Sequence, residues 1–128
     1  MTERLNIETD KAPAAIGPYS QAIAHDGVLY CSGAIPLDPA GEMVGEGDPA
    51  GQARQCLRNL EAIATAAGGK LAEALRVSVY TTRLDEFPAI NEAYAEFFAD
   101  PPPARVTIGV ASLPKGALVE VDAIIPLP

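Results

Sequence analysis

The sequence predicts an α+β domain, a mixed sheet with two helices laid on one of its faces. Three observations carry that prediction. Apolar residues switch along the chain between period-two and period-3.6 spacing. The segments so defined run strand pair, helix, strand, helix, strand pair. The length of 128 residues, with 48% apolar and 20% charged residues, suits one domain that buries a core without disulfide staples. Glycine and proline punctuate the whole chain and no linker divides it, so residues 1–128 read as a single domain.

The elements follow in order. Residues 1–20 hold Pro13, Gly17 and Pro18 and read as an extended or looped entry. Residues 21–33 read as a hairpin, because Asp26-Gly27 suits a two-residue turn in which both central residues take positive φ. That register pairs His25 with Val28, Ile23 with Tyr30 and Gln21 with Ser32. Residues 34–48 carry Pro36, Pro39, Gly41, Gly45 and Gly47 and read as a loop, with a short strand near Met43-Val44. A helix follows, with Asp48 as N-cap and Pro49 at the first helical position, where a missing N–H costs nothing. Ala53, Cys56, Leu57, Leu60, Ile63, Ala64 and Ala67 form its apolar stripe. Gln52, Arg54, Gln55, Arg58, Asn59 and Glu61 are expected on the other side, and Gly68-Gly69 stops it.

Residues 75–82 read as a strand with Val77, Val79 and Thr81 on one face. A second helix of about three and a half turns is capped by Asp85, with Phe87, Ile90, Tyr94, Phe97 and Phe98 as its stripe. Pro101-Pro102-Pro103 ends it. Strands at 105–110 and 117–125 close the chain, expected to pair as a hairpin across Pro114-Lys115-Gly116. Two helices cover only one side of such a sheet. Leu118 and Ile124 on the other side suggest a symmetric oligomer that packs sheet faces together.

Composition excludes some functions. With 17 acidic and 9 basic residues the net charge is −8, which argues against nucleic acid or a polybasic membrane surface as partner. No apolar run approaches the roughly 18 residues of a membrane span. Met1-Thr2-Glu3-Arg4-Leu5-Asn6 lacks the basic and apolar pattern of a signal peptide. Cys31 and Cys56 have no CxxC spacing, and both read as core thiols in a reducing cytoplasm. One histidine and two scattered cysteines do not build an ordinary zinc site.

Candidate site residues come from polar groups in unusual places. If 106, 108 and 110 match 119, 121 and 123 as core-facing sets, Arg105 and Glu120 project together from the face without helices. They would form a fork for an anion beside a general base; the commoner alternative is a structural ion pair. Asn91 falls inside the apolar stripe, where a buried amide needs partners: a tethered loop or a ligand. Tyr19 follows Gly17-Pro18 and could line a pocket or pack in its loop. Ser32 precedes Gly33 at an expected strand end. His25 abuts the turn, and nothing places it beside Ser32 for a catalytic triad.

Several motifs are familiar together. Ala14-Ala15-Ile16-Gly17-Pro18-Tyr19-Ser20-Gln21-Ala22, Cys31-Ser32-Gly33-Ala34-Ile35-Pro36, Gln52-Ala53-Arg54-Gln55, Leu60-Glu61-Ala62-Ile63, Asn91 with Tyr94, Pro103-Ala104-Arg105, Leu113-Pro114-Lys115-Gly116 and Val119-Glu120-Val121-Asp122-Ala123 occur in that order. Together they resemble the reactive intermediate deaminase (Rid) family, also called the YjgF/YER057c/UK114 family, over nearly the whole chain.

The resemblance implies a chorismate-mutase-like (YjgF-like) fold, a homotrimer with sites between subunits, and no cofactor. The implied activity is RidA-like: hydrolysis of reactive enamines and imines, such as 2-aminoacrylate and related 2-imino acids, to 2-keto acids and ammonia. In these terms Arg105 grips the substrate carboxylate and Glu120 assists the attacking water. Tyr19, Ser32 and Asn91 line the pocket, and Thr107 stands where archetypal bacterial members have cysteine. The competing functions are a non-catalytic regulator that binds small 2-keto or amino acids, an endoribonuclease that inhibits translation, and a deaminase specialised for aminomuconate.

Overall fold

The computed structural model describes residues 3–128; Met1 and Thr2, which belong to the expected extended entry, lie outside the described residues. Six strands form one sheet: β1 (Leu5–Ile7), β2 (Ala22–His25), β3 (Val28–Ala34), β4 (Arg76–Thr81), β5 (Ala104–Gly109) and β6 (Val119–Pro126). Two helices, α1 (Pro49–Ala66) and α2 (Phe87–Ala95), pack on one face, giving the α+β architecture. The strand order is β1-β2-β3-β6-β4-β5. No helix among the described residues is long and apolar enough to cross a membrane.

The β2–β3 hairpin has the expected register, His25 opposite Val28 and Ile23 opposite Tyr30. The Ser32 N–H continues it by donating to Gln21 O at 3.0 Å. Asp26 and Gly27 turn with φ of 53° and 77°, the left-handed geometry that two-residue hairpins use. The expected short strand near Met43 is a single bridge to Leu37.

The C-terminal hairpin does not form, and this corrects the expectation. Strand β6 crosses to the middle of the sheet and pairs antiparallel with both β3 and β4. Strand β5 lies at the edge, parallel to β4, with α2 as the crossover. Burial explains the choice. Val119, Val121, Ala123 and Ile125 are each at most 1% exposed and need neighbours on both sides. Strand β5 carries Arg105 and Thr107 on the same face as Val77 and Val79, too polar a set for the centre.

Helix α1 also departs from expectation. Gln52, Gln55 and Asn59, expected in solvent, are buried. Asn59 Nδ2 donates to the carbonyls of Ile35 (3.2 Å) and Leu37 (2.8 Å), Gln55 Nε2 donates to Asn59 Oδ1 (2.9 Å), and Gln52 Oε1 accepts from Leu118 N–H (2.7 Å). The 34–48 loop lies over this helix face, and the amides satisfy backbone groups that would otherwise be buried unpaired. Asp48 occupies the N-cap position but its side chain makes no cap bond. Helix α2 is shorter than expected, nine residues preceded by a 3₁₀ turn at Leu84–Glu86 that contains Asp85, and Phe97 and Phe98 lie beyond its end.

Candidate active site

The sheet topology divides the expected site residues into two groups on opposite faces. Arg105 aligns with Val77 in the parallel β4–β5 register, so it points to the helix face. Glu120 aligns with Tyr80, and Asp122 with Ser78, on the face without helices. The expectation that Arg105 and Glu120 share a face is therefore corrected. It rested on a hairpin register that the chain does not adopt. They form no ion pair with one another, and Arg105 enters none among the described residues.

Arg105 is held by α2. Its Nη1 donates to Asn91 Oδ1 at 2.7 Å. Its guanidinium carbon lies 4.7 Å from the Tyr94 ring centre and 5.6 Å from that of Phe87, both within cation–π range. Asn91 is exposed, not buried in the apolar stripe as expected. It sits at the stripe's edge, where its amide reaches the arginine and no loop. Arg105, Asn91 and Tyr94 border an open cleft of about 570 Å³ with Phe98, Asp100 and Pro103. Thr107, two residues on from Arg105 and on the same face, buries an Oγ1 that has no hydrogen-bond partner, as does the Tyr94 hydroxyl. Burial pushes the Tyr94 phenol up, with the Arg105 charge working against it.

Glu120 lies in a second cleft, of about 320 Å³, with Ile16, Tyr19, Ser32, Gly33 and Pro114. Burial first, and the neighbouring Asp122 charge second, raise its carboxyl above the ordinary 4.5. Asp122 in turn accepts a hydrogen bond from Tyr80 OH at 2.9 Å. Ser32 donates its hydroxyl hydrogen to Ser20 O at 2.6 Å, and the Tyr19 hydroxyl accepts from Ile16 N–H at 3.2 Å. These bonds fold the 16–20 loop against β3.

Gly33 was missed by sequence reasoning as a site residue. A Cβ there would overlap the Glu120 carboxylate, so glycine is what lets that side chain lie across β3. The signal was present in Ser32-Gly33, but its meaning depends on the β3–β6 pairing. Both cysteines pack with the core. Burial, with Asp122 nearby, pushes the Cys31 thiol up to about 12, and burial holds Cys56 well above its usual range, so neither is a nucleophile near neutral pH. No group of three or more His, Cys, Asp or Glu among the described residues is placed to hold a metal.

Known proteins resemble the chain throughout. A family model described as Endoribonuclease L-PSP matches residues 9–126. RutC family protein y4sK of Sinorhizobium fredii (strain NBRC 101917 / NGR234) is 47% identical over 121 residues, which cover 94% of this chain and 96% of that protein. A protein of Dermatophagoides farinae named 2-iminobutanoate/2-iminopropanoate deaminase is 38% identical over 125 residues, 98% of each chain. The crystal structure of RidA from the Antarctic bacterium Psychrobacter sp. PAMC 21119 superposes with a TM-score of 0.92 at 42% identity, covering 97% of this chain and 100% of that one. With its fold and its motifs in agreement, the chain belongs to the Endoribonuclease L-PSP family, the YjgF/Rid family.

Proposed function

We propose that this protein hydrolyses 2-imino acids and their enamine tautomers to 2-keto acids and ammonia, at a site completed between two copies of the chain in a homotrimer. One observation carries the reading. Arg105 presents an oriented guanidinium at an open cleft, and no carboxylate among the described residues pairs with it. A guanidinium so placed binds a carboxylate by parallel charge-assisted hydrogen bonds. The name of the Dermatophagoides relative supports the substrate class, since 2-iminobutanoate and 2-iminopropanoate both carry a carboxylate beside the C=N carbon.

The chemistry follows from the two clefts. With the carboxylate on Arg105, the C=N carbon faces the Glu120 cleft of the neighbouring copy. The Glu120 carboxylate takes a proton from a water as its oxygen bonds to that carbon. The proton passes to the nitrogen to give the carbinolamine; its hydroxyl proton then moves to the nitrogen as the C–N bond breaks and the C=O bond forms, and a keto acid and ammonia leave. Tyr19 and Ser32 shape the wall against which the substrate lies, and Thr107 flanks the guanidinium. Orientation supplies much of the rate gain, because imines hydrolyse readily in water.

A dehydratase that releases 2-aminoacrylate or 2-iminobutanoate supplies the substrate for the test. Keto-acid formation should accelerate with the wild-type protein and fall to background with Arg105→Ala, whose oligomer stays folded. More than about half the activity left in Arg105→Ala would contradict carboxylate binding as a large source of orientation. Binding without acceleration by the wild type would favour a regulator of keto or amino acids. The family description favours an endoribonuclease instead, but the net charge of −8 opposes RNA. RNA cleavage that survives Arg105→Ala would support it.

A further inference from the structure

Arg105 is held in place without an acidic partner among the described residues. An acidic partner would fix the guanidinium by charge-assisted hydrogen bonds and would also offset its charge. Among the described residues its hydrogen bond and ring contacts are all to neutral groups: the Asn91 amide oxygen at 2.7 Å, and the faces of Tyr94 and Phe87 at 4.7 and 5.6 Å. Asp100 borders the same cleft but makes no ion pair with it. Two other arginines of the chain do pair with acids, Arg54 with Glu96 and Arg83 with Asp85 and Glu86.

Resting on the proposed carboxylate grip, we infer that Phe87, Asn91 and Tyr94 are positioning residues whose neutrality keeps Arg105 both oriented and available to an anion. The amide fixes one end of the fork through Nη1. The rings fix its plane by the quadrupole of their faces, an attraction that orients a cation without neutralising it. An acid in place of the amide would keep the hydrogen bond and the shape. It would, however, compete with the substrate for the same charge.

The test is the near-isosteric Asn91→Asp, at an exposed position that folding tolerates. Calorimetric binding of 2-oxobutanoate, a stable keto acid, should weaken about tenfold or more, as expected when a charge-assisted bond loses its free partner. KM for the matching imine should rise in step, while kcat stays within about threefold because Glu120 is untouched. Phe87→Leu should weaken binding by about threefold, and Phe87→Tyr, which keeps a ring, should restore it. Asn91→Asp that binds 2-oxobutanoate like the wild type, while Arg105→Ala does not bind it, overturns the cradle and leaves the grip standing. Arg105→Ala that still binds it overturns the grip itself.

Discussion

Arg105 stands on an edge strand, exposed, on the helix face, steadied by a short helix. Glu120 stands on the central strand, half-buried, on the face no helix covers, steadied by a glycine that leaves it room. The first region keeps a charge solvated and unneutralised, so it can exchange water for a ligand carboxylate. The second keeps a carboxylate partly dry and near another negative charge, which makes it a better proton acceptor than an exposed glutamate. Each does what the other's surroundings forbid. A base beside Arg105 would be acidified by its charge, and an arginine beside Glu120 would be neutralised. Placing them on opposite faces of one sheet lets the surroundings of each differ, and in the proposed assembly the two would meet only where one copy adjoins the next.

That contrast can be broken at either end. The largest effect after Arg105→Ala is expected for Glu120→Gln, which keeps the shape and removes the base. Turnover should fall by roughly ten- to a thousandfold with little change in 2-oxobutanoate affinity. A parallel loss of affinity would mean that the two regions are not separate in role. Gly33→Ala should come next. The added methyl displaces the Glu120 carboxylate, and single-turnover rates should drop by about ten- to a hundredfold through misplacement alone. Unchanged rates would remove Glu120 from the reaction.

Asp122→Asn gives the smallest effect and the sharpest reading of the environment. The amide still accepts from Tyr80, but the charge that adds to the burial shift of Glu120 is gone. The active base is the ionised form. Its pKa should fall toward the ordinary value while burial still holds it above, so the acid limb of kcat should move to lower pH. A limb that stays in place would assign it to another group.

Much of the fold was legible locally. The Asp26-Gly27 turn set the register of a whole hairpin, since two positive-φ residues leave few ways to close it. The stripe from Ala53 to Ala64 set α1. What was not legible depends on partners far along the chain. Gln55 and Asn59 look like solvent-facing residues until a loop 18 to 24 residues upstream needs their amides. The turn at Lys115-Gly116 is real, with φ of 58° and 71°, yet it leads away from β5, not back along it. The same misjudged pairing put Arg105 and Glu120 on one face. The expected site residues fall on two faces of the sheet, a division the sequence could not reveal because it follows from strand order.

The central claim, that a binding half from one copy meets a catalytic half from another, has a direct test. Arg105→Ala and Glu120→Gln, each strongly impaired alone, are co-expressed in equal amounts so that they assemble together, and imine hydrolysis is measured against each variant by itself. Random assembly should return about a quarter of the wild-type sites, each with an intact Arg105 from one chain and an intact Glu120 from its neighbour. A co-assembled mixture as inactive as its parts would contradict a site shared between chains.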